Sequence, residues 1–149
     1  MLGMTEVGIL RYRWTQFKEC KMEVEKSESG PVELWTVQEV KSAFDRDEIV
    51  LIDVRTPQEF TFERIAGAML SPMQAFEPNH LPGQTEKRIV FHCGSGVRSG
   101  KVARLCLEKG IDRVAHMKGG LGAWKEEGFE YTGTDAATGA PKVMRQTKG

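Results

Sequence analysis

The segment Ile89-Val90-Phe91-His92-Cys93-Gly94-Ser95-Gly96-Val97-Arg98-Ser99 sets a cysteine between an apolar run and a glycine-containing loop. Successive backbone N–H groups of Gly94, Ser95, Gly96, Val97 and Arg98 can curl around such a sulfur and form an anion-binding nest. The helix expected to follow adds its unpaired amide donors and the positive end of its dipole. Arg98 adds a fixed charge. All of these favour thiolate over thiol, so Cys93 is expected to titrate below the free value of about 8.5. A thiolate facing a cradle of donors suits nucleophilic attack on an anionic substrate. The other cysteines lack this setting. Cys106 falls on the apolar face of the following helix and reads as a small buried hydrophobe. Cys20, in a charged stretch, has no supporting context.

Such a loop needs a strand to deliver it and a helix to receive it. Ile49-Val50-Leu51-Ile52 and Arg88-Ile89-Val90-Phe91-His92 are apolar on nearly every residue, as strands covered on both faces are. Val32–Trp35, Ala68–Leu70 and Arg113–His116 are shorter strand candidates. Val37, Val40, Ala43 and Phe44 share one helical face, and Val102, Leu105, Cys106 and Lys109 share another, ended by Gly110. Thr56-Pro57-Gln58-Glu59 spells a capping box with proline at the first helical position. Alternation of this kind predicts an α/β single domain: a mainly parallel central sheet flanked by helices on both faces. Ligands of such sheets bind beyond the carboxyl ends of the strands, where Cys93 is expected.

The whole chain has 149 residues, equal numbers of acidic and basic residues (21 each) and three cysteines. One domain fits that length. Zero net charge argues against nucleic-acid binding, which needs clustered Lys and Arg. The odd cysteine count, without zinc-ligand spacing, argues against a secreted disulfide framework and for a cytoplasmic setting. The first residues lack the unbroken apolar core of a signal peptide, and no apolar stretch is long enough to span a bilayer, so no membrane partner is expected. Residues 1–30 read as an N-terminal extension with an Arg11-Tyr12-Arg13-Trp14 cluster, closed by a linker-like Ser27-Glu28-Ser29-Gly30-Pro31. Residues 31–130 form the core, and the small polar residues of 131–149 read as a loosely ordered tail.

Four motifs, in order, resemble the rhodanese (sulfurtransferase) family: Asp53-Val54-Arg55 with Glu59-Phe60, Ile65-Ala66-Gly67-Ala68, Cys93-Gly94-Ser95-Gly96-Val97-Arg98-Ser99, and Gly119-Gly120 with Ala123-Trp124. The match spans roughly residues 32–128. The resemblance implies a two-step transfer in which the Cys93 thiolate takes the outer sulfur of a small anionic donor such as thiosulfate. The resulting persulfide then passes its sulfur to cyanide, a thiol or a partner protein. Cys93 and Arg98 would be catalytic, with Gly94, Ser95, Gly96, Val97 and Ser99 binding the substrate. Asp53, Arg55 and Glu59 would form a charge network fixing the loop, and Trp124 would pack the last helix. No metal or organic cofactor is implied. Four residues separate Cys93 from Arg98, where the related cysteine phosphatases carry five, which disfavours a phosphatase or arsenate reductase. A persulfide carrier or protein-docking module with slow free turnover is the other reading. Gly94 stands where the family often has arginine, and Arg64 and Ala66 replace its usual His and Pro. Lys101 and Arg104 extend a basic rim or a solvated helix face, and no role is assigned to His80 or His116.

Overall fold

The computed structural model describes residues 23–147. The readings placed on Cys20 and on the Arg11–Trp14 cluster lie outside the described residues. The chain runs β1 (Glu23–Ser27), β2 (Gly30–Trp35), α1 (Val37–Asp45), β3 (Ile49–Asp53), α2 (Pro57–Phe62), β4 (Met69–Leu70), β5 (Arg88–His92), α3 (Val97–Glu108), β6 (Ala115–Met117), α4 (Gly120–Glu126), β7 (Tyr131–Thr134) and β8 (Pro141–Met144). The main sheet has the strand order β1-β2-β6-β5-β3-β4, parallel throughout except where β1 pairs antiparallel with β2.

The unbroken apolar runs have their reason in this layering. Strand residues alternate between faces, and both faces are covered. Ile49, Leu51, Val90, Ala115 and Met117 pack with Val37, Val40 and Ala43 of α1 and with Leu121 and Trp124 of α4. Ile52, Ile89 and Phe91 pack on the opposite side with Val102, Ala103 and Cys106 of α3. The capping box at α2 forms as its residues predict: Thr56 Oγ1 accepts from Glu59 N at 3.2 Å, and Glu59 Oε2 accepts from Thr56 N at 2.9 Å.

Two segments differ from the sequence reading. Ser27-Glu28-Ser29-Gly30-Pro31 is the turn of a β-hairpin rather than a linker, so residues 23–30 join the sheet edge. Gly30 supplies the positive φ of 127° that the turn needs. The charged residues that made this stretch look separate are those of a solvated edge strand. The tail is also ordered, because β7 and β8 pair as a second hairpin. Its Gly- and Ala-rich stretch is a turn, held by Asp135 Oδ1 accepting from the amides of Ala137 (2.8 Å) and Thr138 (3.0 Å). Tyr131 enters the core beside Trp124, and the backbones of Thr132 and Arg64 exchange two hydrogen bonds of 2.7 and 2.8 Å.

Candidate active site

β5 ends at His92, and Cys93 begins the loop that becomes α3. Gly96 makes that turn possible: it precedes α3 with φ 103°, a left-handed conformation that side chains disfavour. The turn aims amides at the sulfur. Cys93 Sγ accepts from Gly96 N at 3.0 Å and Ser99 N at 3.4 Å, with Ser99 Oγ 3.5 Å away. Cys93 has no exposed surface. Burial opposes its ionisation, yet the Ser99 hydroxyl and the amides of Ser99, Ser95 and Gly96 outweigh it, and the thiol lies below its ordinary value. Cys106 is buried, and that burial pushes its thiol up to about 12.

The Gly119-Gly120 pair closes the loop from the other side. Leu121 N donates to Cys93 O at 2.8 Å and Gly122 N to Gly94 O at 3.1 Å. Gly120 has φ 59°, and a methyl carbon there would lie 2.5 Å from Cys93 O and 2.6 Å from Gly94 C. Glycine is required because two backbones meet with no room between them. Trp124, further along α4, is buried in the core and donates from Nε1 to Glu130 O at 2.9 Å.

Arg98 is held by Glu59. Its two terminal nitrogens donate to Glu59 Oε2 and Oε1 at 2.7 and 2.8 Å, a bidentate pair that ties α3 to the capped start of α2. The Arg98 guanidinium holds the Glu59 carboxyl down to about 2, against partial burial and helped by Thr56, and Arg98 is raised in turn. Gly94 lies against Arg98: a methyl carbon there would be 3.3 Å from the guanidinium. Asp53 and Arg55 form a second, buried pair at 2.7 Å, and Arg55 also donates to Glu63 O at 2.6 Å. His92 Nε2 is 3.5 Å from Asp53 Oδ2, and burial, opposed by the Asp53 charge, lowers its pKa.

The cysteine loop thus brings together Cys93, Ser95, Gly96 and Ser99 at the sulfur, and places Gly94 and Arg98 beside it. Val97 is 62% exposed at the loop's outer edge. Asp53 pairs with Arg55 and Glu59 with Arg98, and the Asp53 charge also bears on Arg98. Arg104 sits 3.5 Å from Glu25 and lines both a groove behind the loop and a neighbouring depression, which Lys101 lines with it. Among the described residues, no group of three His, Cys, Asp or Glu is placed to hold a metal ion, and no helix is long and apolar enough to cross a membrane.

Sequence reasoning missed His116, whose Nδ1 lies 2.9 Å from Ser99 Oγ. It also missed the amides of Leu121 and Gly122 as clamps on the loop. The alternation of β6 carries a signal for the histidine: Ala115 and Met117 face α1 and α4, so His116 faces α3. That signal becomes readable only once β6 is known to neighbour β5.

A family model described as a rhodanese-like domain matches residues 36–127. An uncharacterized protein of Synechocystis is 34% identical over 113 residues, which cover 76% of this chain and 60% of that protein. A protein of Allochromatium vinosum named sulfurtransferase is 30% identical over 85 residues, 57% of this chain and 79% of that one. A solution structure of a rhodanese-like domain from Anabaena superposes with a TM-score of 0.60 at 22% identity, covering 73% of this chain and 84% of the domain.

Proposed function

The chain belongs to the rhodanese-like domain family, and on that premise we propose that it is a sulfurtransferase that carries sulfane sulfur as a persulfide on Cys93. In the first step the thiolate attacks the outer sulfur of a donor such as thiosulfate. A sulfur–sulfur bond to Cys93 forms, the donor's own bond to that sulfur breaks, and sulfite leaves with the electron pair. In the second step a cyanide ion, thiol or partner protein attacks the outer sulfur of the persulfide, and Cys93 leaves as thiolate.

The observation that carries this reading is the buried Sγ held by the amides of Gly96 and Ser99 and facing the Ser99 hydroxyl. Fixed donors stabilise the anion both before attack and when it departs, with no reorganisation needed at the moment of reaction. In this reading the loop of Gly94, Ser95, Gly96, Val97 and Ser99 holds negative charge as it moves from Sγ to the outer sulfur. A fully buried thiolate selects a donor that presents a slim terminal sulfur.

In this proposal Arg98 braces the loop through its bidentate pair with Glu59, and the N–H groups that the pair does not use help hold the anionic donor. With Gly94 bringing no charge, a small doubly charged donor has less to hold it. That favours, as a second reading, a persulfide carrier that receives and delivers sulfur through partner proteins.

The test is the intact mass after thiosulfate treatment, together with thiosulfate:cyanide transfer, in wild type and Cys93→Ser. Wild type is expected to gain one sulfur atom, and Cys93→Ser none. No sulfur added to wild type, or transfer by the serine variant, rejects the proposal. Persulfide formation with poor turnover selects the carrier. Hydrolysis of an aryl phosphate that depends on Cys93 replaces sulfur chemistry with phosphatase chemistry.

A further inference from the structure

The proposed chemistry leaves unused a buried histidine one hydroxyl away from the nucleophile. His116 is 5% exposed, and its Nδ1 lies 2.9 Å from Ser99 Oγ, which in turn lies 3.5 Å from Cys93 Sγ. Its other ring nitrogen, Nε2, is buried with no hydrogen-bond partner among the described residues. The residue lines a groove of about 330 Å³ behind the cysteine loop, together with Ser95, Gly96, Gly100, Arg104 and Glu25.

The Ser99 hydroxyl owns one proton and has three acceptors in reach: His116 Nδ1, Cys93 Sγ and Gly96 O at 3.2 Å. Where that proton points depends on which ring nitrogen of His116 carries hydrogen. If Nε2 holds it, Ser99 donates to Nδ1 and its lone pair is free to accept from a Cys93 thiol. If Nδ1 holds it, Nδ1 donates to Ser99, and Ser99 donates to a Cys93 thiolate.

We propose that Cys93, Ser99 and His116 form a proton relay in which the tautomer of His116 directs the Ser99 hydroxyl and thereby the ionisation of the buried thiol. The S–H bond breaks as its proton bonds to Ser99 Oγ. The former Ser99 proton bonds to His116 Nδ1, and the proton of the buried Nε2 passes to a water molecule admitted from the groove that the ring lines. Nothing is oxidised or reduced. The products are a thiolate, one proton in solvent, and a neutral imidazole moved from its Nε2–H to its Nδ1–H form. The role of the relay in sulfur transfer rests on Cys93 being the sulfur carrier. Ser99 touches the reacting atom, and His116 acts through it as a positioning residue.

The surroundings suit a histidine that changes tautomer rather than charge. Burial holds its pKa below the ordinary value, Glu25 on β1 raises it, and Arg104 on α3 lowers it. Arg104 and Glu25 offset each other across 3.5 Å, and Lys118, on the same groove, is paired to Glu23 at 2.7 Å.

The test follows two signals through one pH titration of the full chain. The Cys93 thiolate is read by ultraviolet absorbance, as the difference from Cys93→Ser, and the His116 ring nitrogens are read by ¹⁵N NMR. In wild type, His116 is expected to pass from Nε2–H to Nδ1–H at the same midpoint as the thiolate. In Cys93→Ser and in Ser99→Ala that change is expected to vanish. Ser99→Ala is also expected to lower the thiolate fraction at neutral pH about tenfold, the effect of roughly one pKa unit. His116→Asn, which offers an amide in place of Nδ1, is expected to retain more thiolate than His116→Phe. One tautomer held throughout the thiol titration overturns the relay, as does the same switch in Cys93→Ser. Intact mass after thiosulfate, measured on the same samples, separates the two ideas. Sulfur addition with a fixed His116 tautomer refutes the relay alone, whereas a coupled switch without sulfur addition supports the relay and refutes the sulfur carrier.

Discussion

Replacing Gly120 with alanine tests whether the cysteine loop is shaped from outside itself. The added methyl carbon would lie 2.5 Å from Cys93 O, 2.6 Å from Gly94 C and 2.7 Å from Gly94 O. Carbon–oxygen contacts settle near about 3.3 Å or beyond, so the two backbones must part by roughly 1 Å. That separation breaks the bonds from Leu121 N and Gly122 N to the carbonyls of Cys93 and Gly94, worth about 1 kcal/mol each. Holding a non-glycine residue at φ 59° adds about 1–2 kcal/mol. The expected loss is about 3–4 kcal/mol, a large part of the roughly 5–15 kcal/mol that stabilises an ordinary domain. Gly122→Ala is the internal control, because its methyl carbon meets Gly94 O at an ordinary 3.4 Å and it lacks the positive φ. Urea unfolding should therefore show a much lower midpoint for Gly120→Ala and a shift of less than about 1 kcal/mol for Gly122→Ala. Cys93 alkylation at neutral pH should slow in Gly120→Ala, since moving the Cys93 and Gly94 carbonyls displaces the amides that stabilise Sγ. If Gly120→Ala matches wild type in both stability and thiol reactivity, the clamp is not what shapes the loop.

Other consequences are as direct. The folded Glu59 carboxyl lies at about 2, below its ordinary 4.5, so its ion pair stabilises the fold above pH 4.5 and that contribution is lost as pH falls towards 2. Glu59→Gln is therefore expected to flatten the acid limb of the stability curve between those values, and an unchanged limb means the Arg98 pair carries no stability. At neutral pH in a Cys20→Ser background, iodoacetamide should label Cys93 and spare Cys106, whose thiol is pushed up to about 12; equal labelling by peptide mass spectrometry contradicts the assigned difference in thiol character. Truncation after Glu130 removes Tyr131 from the core and its neighbouring bonds to Arg64, and should cost about 2–4 kcal/mol in urea unfolding. Truncation after Arg145 should cost little, and equal effects would show that the hairpin adds nothing.

Much of the fold was readable because its causes are local. The apolar runs of β3 and β5 follow from a sheet covered on both faces, and the Thr56–Glu59 capping box needs only residues three apart. The end of β5 at His92 and the helix that follows the glycine-containing loop were legible for the same reason. The hairpin of β1 and β2 and the ordered tail were not. Charged and small residues describe a solvated edge or a turn as well as they describe disorder, and only the partner strand separates these cases. Within the site, the sequence named the thiol, its amides and Arg98 as a fixed charge, but not the carboxylate that holds Arg98. Glu59 accepts from both terminal nitrogens of Arg98 from 39 residues away in the chain.

From its own order the sequence determined an α/β chain with a cysteine at a strand end, glycines where the backbone must turn, and the chemistry of a thiolate held by amides. The tertiary structure alone decided which distant groups complete that chemistry. His116 reaches Ser99 because β6 lies beside β5 and alternation turns its side chain towards α3. Leu121 and Gly122 reach the loop because α4 begins where Gly120 permits two backbones to touch. Parallel crossovers bring together residues with no spacing rule between them, and a hydrogen bond depends on tenths of an ångström that only the packed fold sets.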